Sequence, residues 1–289
     1  MILLRGALAI LLLVLTLAPL MLLQWAALGV GSRLAHALPV AFHRFLLRLL
    51  GVRLHVSGRI GPERPLLIVA NHVSWLDILT LTAVAPVRFV SKAEVARWPL
   101  IGWLARLQRS VFIDRNDRST VGGKASEVVQ ALRAGDVVVV FPEGTTSDGN
   151  RVLFFKSGLL GAVREAMGTD PLHVQPLSIC HTHLHGMPIG RARRHLAAYP
   201  GRVSLGRSLR DVLLAAALDI HVDLGAPMPY PPGAARKPFA AMLEDRVRAM
   251  FASRIADARL GAGVRAPAST IGRTAPARAM PVPELQVAE

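Results

Sequence analysis

From residue 6 to residue 32 the chain carries no charge: GALAILLLVLTLAPLMLLQWAALGVGS lies between Arg5 and Arg33. About 20 apolar residues cross a bilayer core as a helix. The run therefore predicts a retained membrane segment, with Pro19 tolerated as a kink and Trp25 as an interface anchor. A cleaved signal peptide would carry a shorter apolar region, about 7–15 residues. Residues 1–33 are assigned to a transmembrane or re-entrant helix. A second stretch, LPVAFHRFLLRLLG at 38–51, has helical periodicity: Leu38, Ala41, Phe42, Phe45, Leu46 and Leu49 share one face. His43, Arg44 and Arg48 lie away from it, and Gly51 is placed to cap the C-terminus. Residues 34–52 read as an amphipathic interfacial helix with its cationic side toward lipid phosphates; a core helix of the following domain is the alternative.

Past Gly51 the pattern changes. Short β-branched runs occur at 67–69, 87–90, 111–113, 137–141, 174–179 and 220–222, with helical stretches at 76–84, 94–107, 120–133 and 155–167. Strands alternating with helices of this length predict an α/β domain, with a mostly parallel sheet flanked by helices, over residues 53–258. A Pro- and Gly-rich loop at 225–238 leads to a last helix near 239–256, and residues 259–289, rich in Ala, Pro and Arg, read as a disordered tail.

Charge changes the picture more than size does. The 289 residues hold 34 Lys and Arg against 19 Asp and Glu, a net charge of +15. Such an excess predicts an anionic partner. Aromatics make up only 5%, and no zinc-finger spacing, RNP-like motif or long basic stripe is present, so nucleic acid is not expected. A hydrophobic fraction of 52% and mean hydropathy of +0.40 favour anionic membrane lipids. Arginine far outnumbers lysine, a codon bias of GC-rich bacteria. The arginines after the apolar run (33, 44, 48, 53, 59) outnumber the single Arg5 before it, which places the main domain in the cytoplasm, at a bacterial inner membrane. Cys180 is the only cysteine, so no intrachain disulfide or Cys-based metal site is expected.

The chemistry concentrates in LLIVANHVSWLDILTL, 66–81. His72 and Asp77 are five residues apart and would not share a face of one helix. His72 must sit in the loop leaving the strand, with the helix starting after it. Two readings follow. Ser74 as N-cap and Asp77 three residues later form a capping-box pattern. Alternatively, Asp77 folds back to accept the Nδ1 proton of His72, leaving Nε2 free as a base, at the strand end where open α/β sheets bind ligands. No G-x-S-x-G elbow supplies a nucleophile, so the substrate would bring its own hydroxyl.

Three further landmarks are weaker alone. FPEGTTSDGN, 141–150, follows a buried strand and offers hydroxyls and amides for an anion, without being a Walker P-loop. Arg115 in VFIDR suits bidentate contact with phosphate or carboxylate. Lys92 and Lys156 follow strand or loop segments. CHTHLH spaces His181, His183 and His185 by two, a possible metal face on a strand, but no H-E-x-x-H accompanies it and no metal is expected.

Taken in order, NHVSWLD, VFIDR, FPEGTTS and VQPLSI resemble the four sequence blocks of the lysophospholipid acyltransferase family, over roughly residues 30–250. The resemblance implies the glycerolipid acyltransferase fold behind a membrane-docking region. It implies His72 as general base with Asp77 as its partner, and Lys92, Arg115, Glu143, Gly144 and Thr145 at the acceptor headgroup. It also implies an acyl-CoA or acyl carrier protein thioester as donor, a lysolipid acceptor and no cofactor. The expected acceptor is 1-acyl-sn-glycerol-3-phosphate, giving phosphatidic acid. TSDGNR, however, stands where many phosphatidate-forming members carry extra Arg, and resembles the lyso-ornithine lipid acyltransferases, whose acceptor bears a carboxylate. A non-catalytic anionic-lipid-binding protein is the remote alternative.

Overall fold

The computed structural model describes residues 2–113, 118–199, 204–215 and 217–260. Two helices lead, α1 (Ile2–Gly29) and α2 (Leu34–Leu50). Then follow β1 (Val52–Ser57), β2 (Leu66–Ala70), α3 (Leu76–Val84), β3 (Arg88–Lys92), α4 (Ile101–Leu107), β4 (Val111–Ile113), α5 (Arg118–Arg133) and β5 (Val137–Val140). The chain continues through α6 (Gly158–Met167), β6 (His173–Leu184), β7 (Met187–Pro188), α7 (Leu205–Ala215), β8 (Leu218–Leu224), β9 (Met228–Pro229) and α8 (Arg236–Arg259).

The strands form one sheet in the order β1-β8-β6-β2-β5-β3-β4, with β7 and β9 paired to β6. Along that path every neighbouring pair is parallel except β6 with β8. Side chains of one strand alternate between faces, and each face has its own core. Leu67, Val69, Val138 and Val140 meet α5, α6 and α8. Leu66, Ile68, Val137, Val139 and Phe141 meet α2, α3 and α7. Both faces being covered explains why β2 and β5 read as unbroken apolar runs.

Most expected elements stand where the pattern put them, with five main differences. β1 has no counterpart among the expected strands, nor α7 among the expected helices. β6 runs past 179 to Leu184. The expected helix at 94–107 is broken at Pro99: a 3₁₀ turn, Ala93–Arg97, precedes α4, and Leu100 between them has φ 61°. The helix expected from 155 starts at Gly158, because the Phe155 amide is bonded to Glu244 Oε2 (2.8 Å) and the Lys156 amide to Pro142 O (3.0 Å).

α2 ends at Gly51, φ 75°, as expected for a C-cap. Its buried residues are Ala35, Leu47 and Leu50, not the apolar face read from periodicity, on which Ala41 is exposed. Arg44 is not turned toward lipid: its Nε donates to Ala83 O at 2.7 Å, capping α3. α1 is docked at its C-terminal half, where Gln24 Nε2 donates to Ala35 O (2.9 Å) and Leu107 O (3.1 Å). Its stretch 11–29 is long and apolar enough to cross a membrane. Residues 261–289, expected to be a tail, lie outside the described residues.

Candidate active site

The site lies at the C-terminal ends of β2, β5 and β6, three adjacent strands. β2 stops at Ala70, but its ladder to β6 continues through a side chain. Asn71 Nδ2 donates to Ile179 O at 2.9 Å, and Asn71 Oδ1 accepts from the Ile179 amide at 2.8 Å. Asn71 is fully buried, so this pair fixes where the next residue leaves the sheet.

That residue is His72. Its Nδ1 lies 2.7 Å from Asp77 Oδ2. A carboxylate only accepts, so Nδ1 carries the proton and Nε2 is left unprotonated in the neutral ring. The same Oδ2 accepts the amides of Val73 (2.6 Å) and Ser74 (2.9 Å). Asp77 thus reaches back to Ser74, as the capping pattern predicts, and orients His72 as well, so both readings hold together. The helix starts at Leu76, with Trp75 rather than Ser74 in the N-cap position. Burial opposes ionisation of Asp77, but the His181 and His72 imidazoles outweigh it and hold the carboxyl well below the usual carboxylate range.

The His72 ring stacks on Phe141, with centroids 4.1 Å apart and planes 14° from parallel. Its side chain is 19% exposed, enough for a substrate to reach one edge. Phe141 opens the loop after β5. Pro142 and Glu143 form a tight turn closed by the Gly144 amide to Phe141 O at 3.1 Å. Gly144 has φ 75°, a conformation open to glycine at little cost. The loop is tied to the histidine by the Ser147 amide donating to His72 O at 2.8 Å. Gly149 has φ 75°, and a side chain there would meet Val73 and Arg194.

The other expected site residues fall in different places. Glu143 is 2% exposed, and its Oε1 accepts the Leu153 amide at 3.0 Å. Burial pushes its carboxyl up to about 8, against the opposing pull of the Leu153 and His72 amides. Its other oxygen, Oε2, is buried and has no hydrogen-bond partner. Gly144 is half-buried and Thr145 exposed at the loop apex. Lys92 is exposed at the C-terminal end of β3, two strands from β2. Arg115 lies outside the described residues. His181 and His183 part at a β-bulge between them: His181 Nε2 faces Asp77, while His183 Nδ1 meets Thr182 Oγ1 at 2.9 Å. Among the described residues no group of three or more His, Cys, Asp or Glu is arranged to hold a metal ion.

Two roles at this site were not assigned from the sequence. That of Asn71 has a local signal, since a buried polar residue closing an apolar strand needs partners. His181 stood out in the sequence only through its spacing from His183 and His185, because only the pairing of β6 beside β2 brings it to Asp77.

The chain is similar to several known proteins. The family model described as Acyltransferase matches residues 51–180. The lyso-ornithine lipid O-acyltransferase of Rhizobium meliloti is 44% identical over 254 residues, 87% of this chain and 87% of that protein. That of Brucella abortus is 43% identical over 80% of this chain and 87% of its own length. The 1-acyl-sn-glycerol-3-phosphate acyltransferase of Neisseria gonorrhoeae is 39% identical over 44% of this chain and 50% of its own. The crystal structure of the 1-acyl-sn-glycerophosphate acyltransferase PlsC of Thermotoga maritima shares the fold, with TM-score 0.54 and 24% identity over 75% of this chain and 78% of that one.

Proposed function

Since the chain belongs to the acyltransferase family, we propose that it moves a fatty acyl group from a thioester, on CoA or acyl carrier protein, to the free hydroxyl of a lyso-ornithine lipid. The His72–Asp77 pair at the mouth of the sheet carries the reaction. His72 Nε2 takes the acceptor's hydroxyl proton as that oxygen attacks the thioester carbonyl. The tetrahedral intermediate then expels the thiolate, which takes the proton back from His72. A placed base of this kind contributes about 10²–10⁴ in rate. Asp77 holds the ring in the useful tautomer. The Gly144 amide is already bonded to Phe141, but those of Thr145 and Thr146 make no hydrogen bond among the described residues and are the donors left for the oxyanion.

The preference for this acceptor over 1-acyl-sn-glycerol-3-phosphate rests on the two long relatives and on the 145–150 loop. Asp148 is exposed there, and its carboxylate accepts the Asn150 amide at 3.0 Å and Asn150 Nδ2 at 3.1 Å. A carboxylate at the rim repels a phosphate dianion. Ornithine acylated on one amine keeps a free ammonium, which Asp148 would attract, and a carboxylate, which suits Arg115 or Lys92. The second reading keeps 1-acyl-sn-glycerol-3-phosphate, which the Neisseria relative's name favours. The enzyme works at the cytoplasmic face of the inner membrane, attached through its N-terminal helices and drawn to anionic lipid by its net positive charge. Assaying purified enzyme with both lysolipids side by side should show the higher kcat/KM on lyso-ornithine lipid, and His72→Ala should lower either activity at least 10²-fold, by about the worth of a positioned base. Faster acylation of lysophosphatidate would reverse the acceptor, and full activity in His72→Ala would remove the base.

A further inference from the structure

Asp77 has two carboxylate oxygens, and the interactions so far account for one. Oδ2 accepts three donors, from His72, Val73 and Ser74. Oδ1 is buried and accepts no hydrogen bond. A dry carboxylate oxygen without a donor is costly. The atom facing it is Nε2 of His181, 3.4 Å away, which is also buried and without a partner. The other nitrogen of that ring is committed: His181 Nδ1 lies 2.9 Å from Ala197 O. A carbonyl only accepts, so Nδ1 carries a proton. A bare Nε2 would then turn its lone pair toward those of Oδ1 in a water-free interior, which is repulsive. A proton on Nε2 makes the same contact attractive.

We propose, resting on the acyl-transfer reading of the site, that His181 is a positioning residue held as an imidazolium against Asp77 Oδ1, so that the base is one end of a His72–Asp77–His181 unit. The placement follows from topology. β6 pairs with β2 only as far as Leu177 opposite Ala70 and then runs on above the end of its neighbour. Cys180 faces the α8 side, and His181, next along, faces α3 and Asp77. The 3.4 Å contact is longer than the 2.7 Å bond to His72, so His181 acts on the carboxylate chiefly through charge.

The consequence lies in the proton His72 must both take and return. With a cation on its far oxygen, Asp77 gives His72 orientation without the pull of a full uncompensated negative charge, and the imidazolium can release its proton to the thiolate. Among the described residues, the titratable groups facing this pair are His72, from the loop after β2, and Glu143, from the loop after β5, whose carboxyl the Asp77 charge helps push up. β8 offers Ile220 opposite His181, and the turn at 191–196 leads to the Ala197 carbonyl.

Two measurements test this. In ¹⁵N-histidine-labelled full-length enzyme, with the ring signals assigned through their backbone resonances, His181 should show both nitrogens protonated from pH 6 to 8. An unprotonated Nε2 in that range would overturn the proposal. In kinetics, His181→Gln keeps a neutral donor and His181→Leu keeps none. Both should move the acidic limb of the kcat/KM profile to higher pH, by about one unit, as expected when a nearby cation is lost. His181→Leu should lose about tenfold in kcat with KM little changed, and His181→Gln should recover part of it, the pattern of an interaction needed in the transition state. An unmoved acidic limb in folded variants of both kinds would equally overturn it. Absence of acyl transfer to either lysolipid would sink the functional reading instead, and the ring-nitrogen signals, which need no turnover, would still decide the state of His181.

Discussion

At the scale of single residues, the site is organised by two buried carboxyl groups in opposite states. Asp77 is held charged by the imidazoles around it, and Glu143 is kept neutral near pH 7 by burial, with its carboxyl near 8. Glu143, which the family resemblance puts at the headgroup, also braces its own loop: Oε1 holds the Leu153 amide, beside the turn that carries Gly144 and Ser147. A group whose folded value is raised from 4.5 to about 8 binds a proton that the unfolded chain has released between those values. Stability therefore falls as pH rises through that window. Glu143→Gln keeps the acceptor for Leu153 and removes the titration. Denaturant midpoints at pH 5.5 and 8 should differ in the parent protein and converge in this variant; an equal slope in both would mean that Glu143 titrates normally.

At the scale of elements, the sequence was most readable where a strand is covered on both faces. β2 and β5 are unbroken Leu, Ile and Val runs because cores lie on both sides of them. β1 was not readable: VRLHVS lies at the sheet edge with only Val52 buried, so its polar residues masked the strand. The end of β6 was missed for the opposite reason. His181, Thr182 and His183 are buried there, and the contacts of His181 Nδ1 with Ala197 O and of Thr182 Oγ1 with Asp219 O are long-range, so no local pattern announces them. The site could be located because its key pair is local, five residues apart across one strand-to-helix turn. What holds that turn in register is Asn71 on Ile179. Asn71→Ala would leave a buried N–H and C=O of Ile179 without partners, a loss of about 2–6 kcal/mol at 1–3 kcal/mol per group. The denaturant midpoint should drop accordingly, and activity should fall with it because His72 is the next residue. A change below about 0.5 kcal/mol, the size of an ordinary surface substitution, would show that β2 does not need this clamp.

At the scale of the whole molecule, charge and hydropathy together decide how the enzyme meets its lipid substrates. Half of α1 is not free to leave the domain: Met21, Gln24 and Ala27 are buried against it, while Leu22 and Trp25 beside them are about two-thirds exposed. The α4 region continues this surface, with Trp98, Leu100 and Trp103 each more than 40% exposed and Arg97 and Arg106 nearby. On the membrane attachment proposed above, an apolar helix seated on the protein next to exposed tryptophans and arginines would attach in two ways at once. The helix would contribute apolar burial, which salt does not weaken. The basic rim would contribute attraction to anionic headgroups, which 1 M salt screens to about 3 Å. The full chain should therefore stay with anionic vesicles through a 1 M salt wash. A chain lacking residues 1–32 should bind the same vesicles at low salt and be released by that wash, with a thermal melt checking that the domain survives the loss of the Gln24 bonds. Release at low salt would assign all attachment to α1. Retention at high salt would mean that α2 and the Trp98–Trp103 surface bury enough apolar area alone, and that α1 serves the enzyme by bracing α4 rather than by anchoring it.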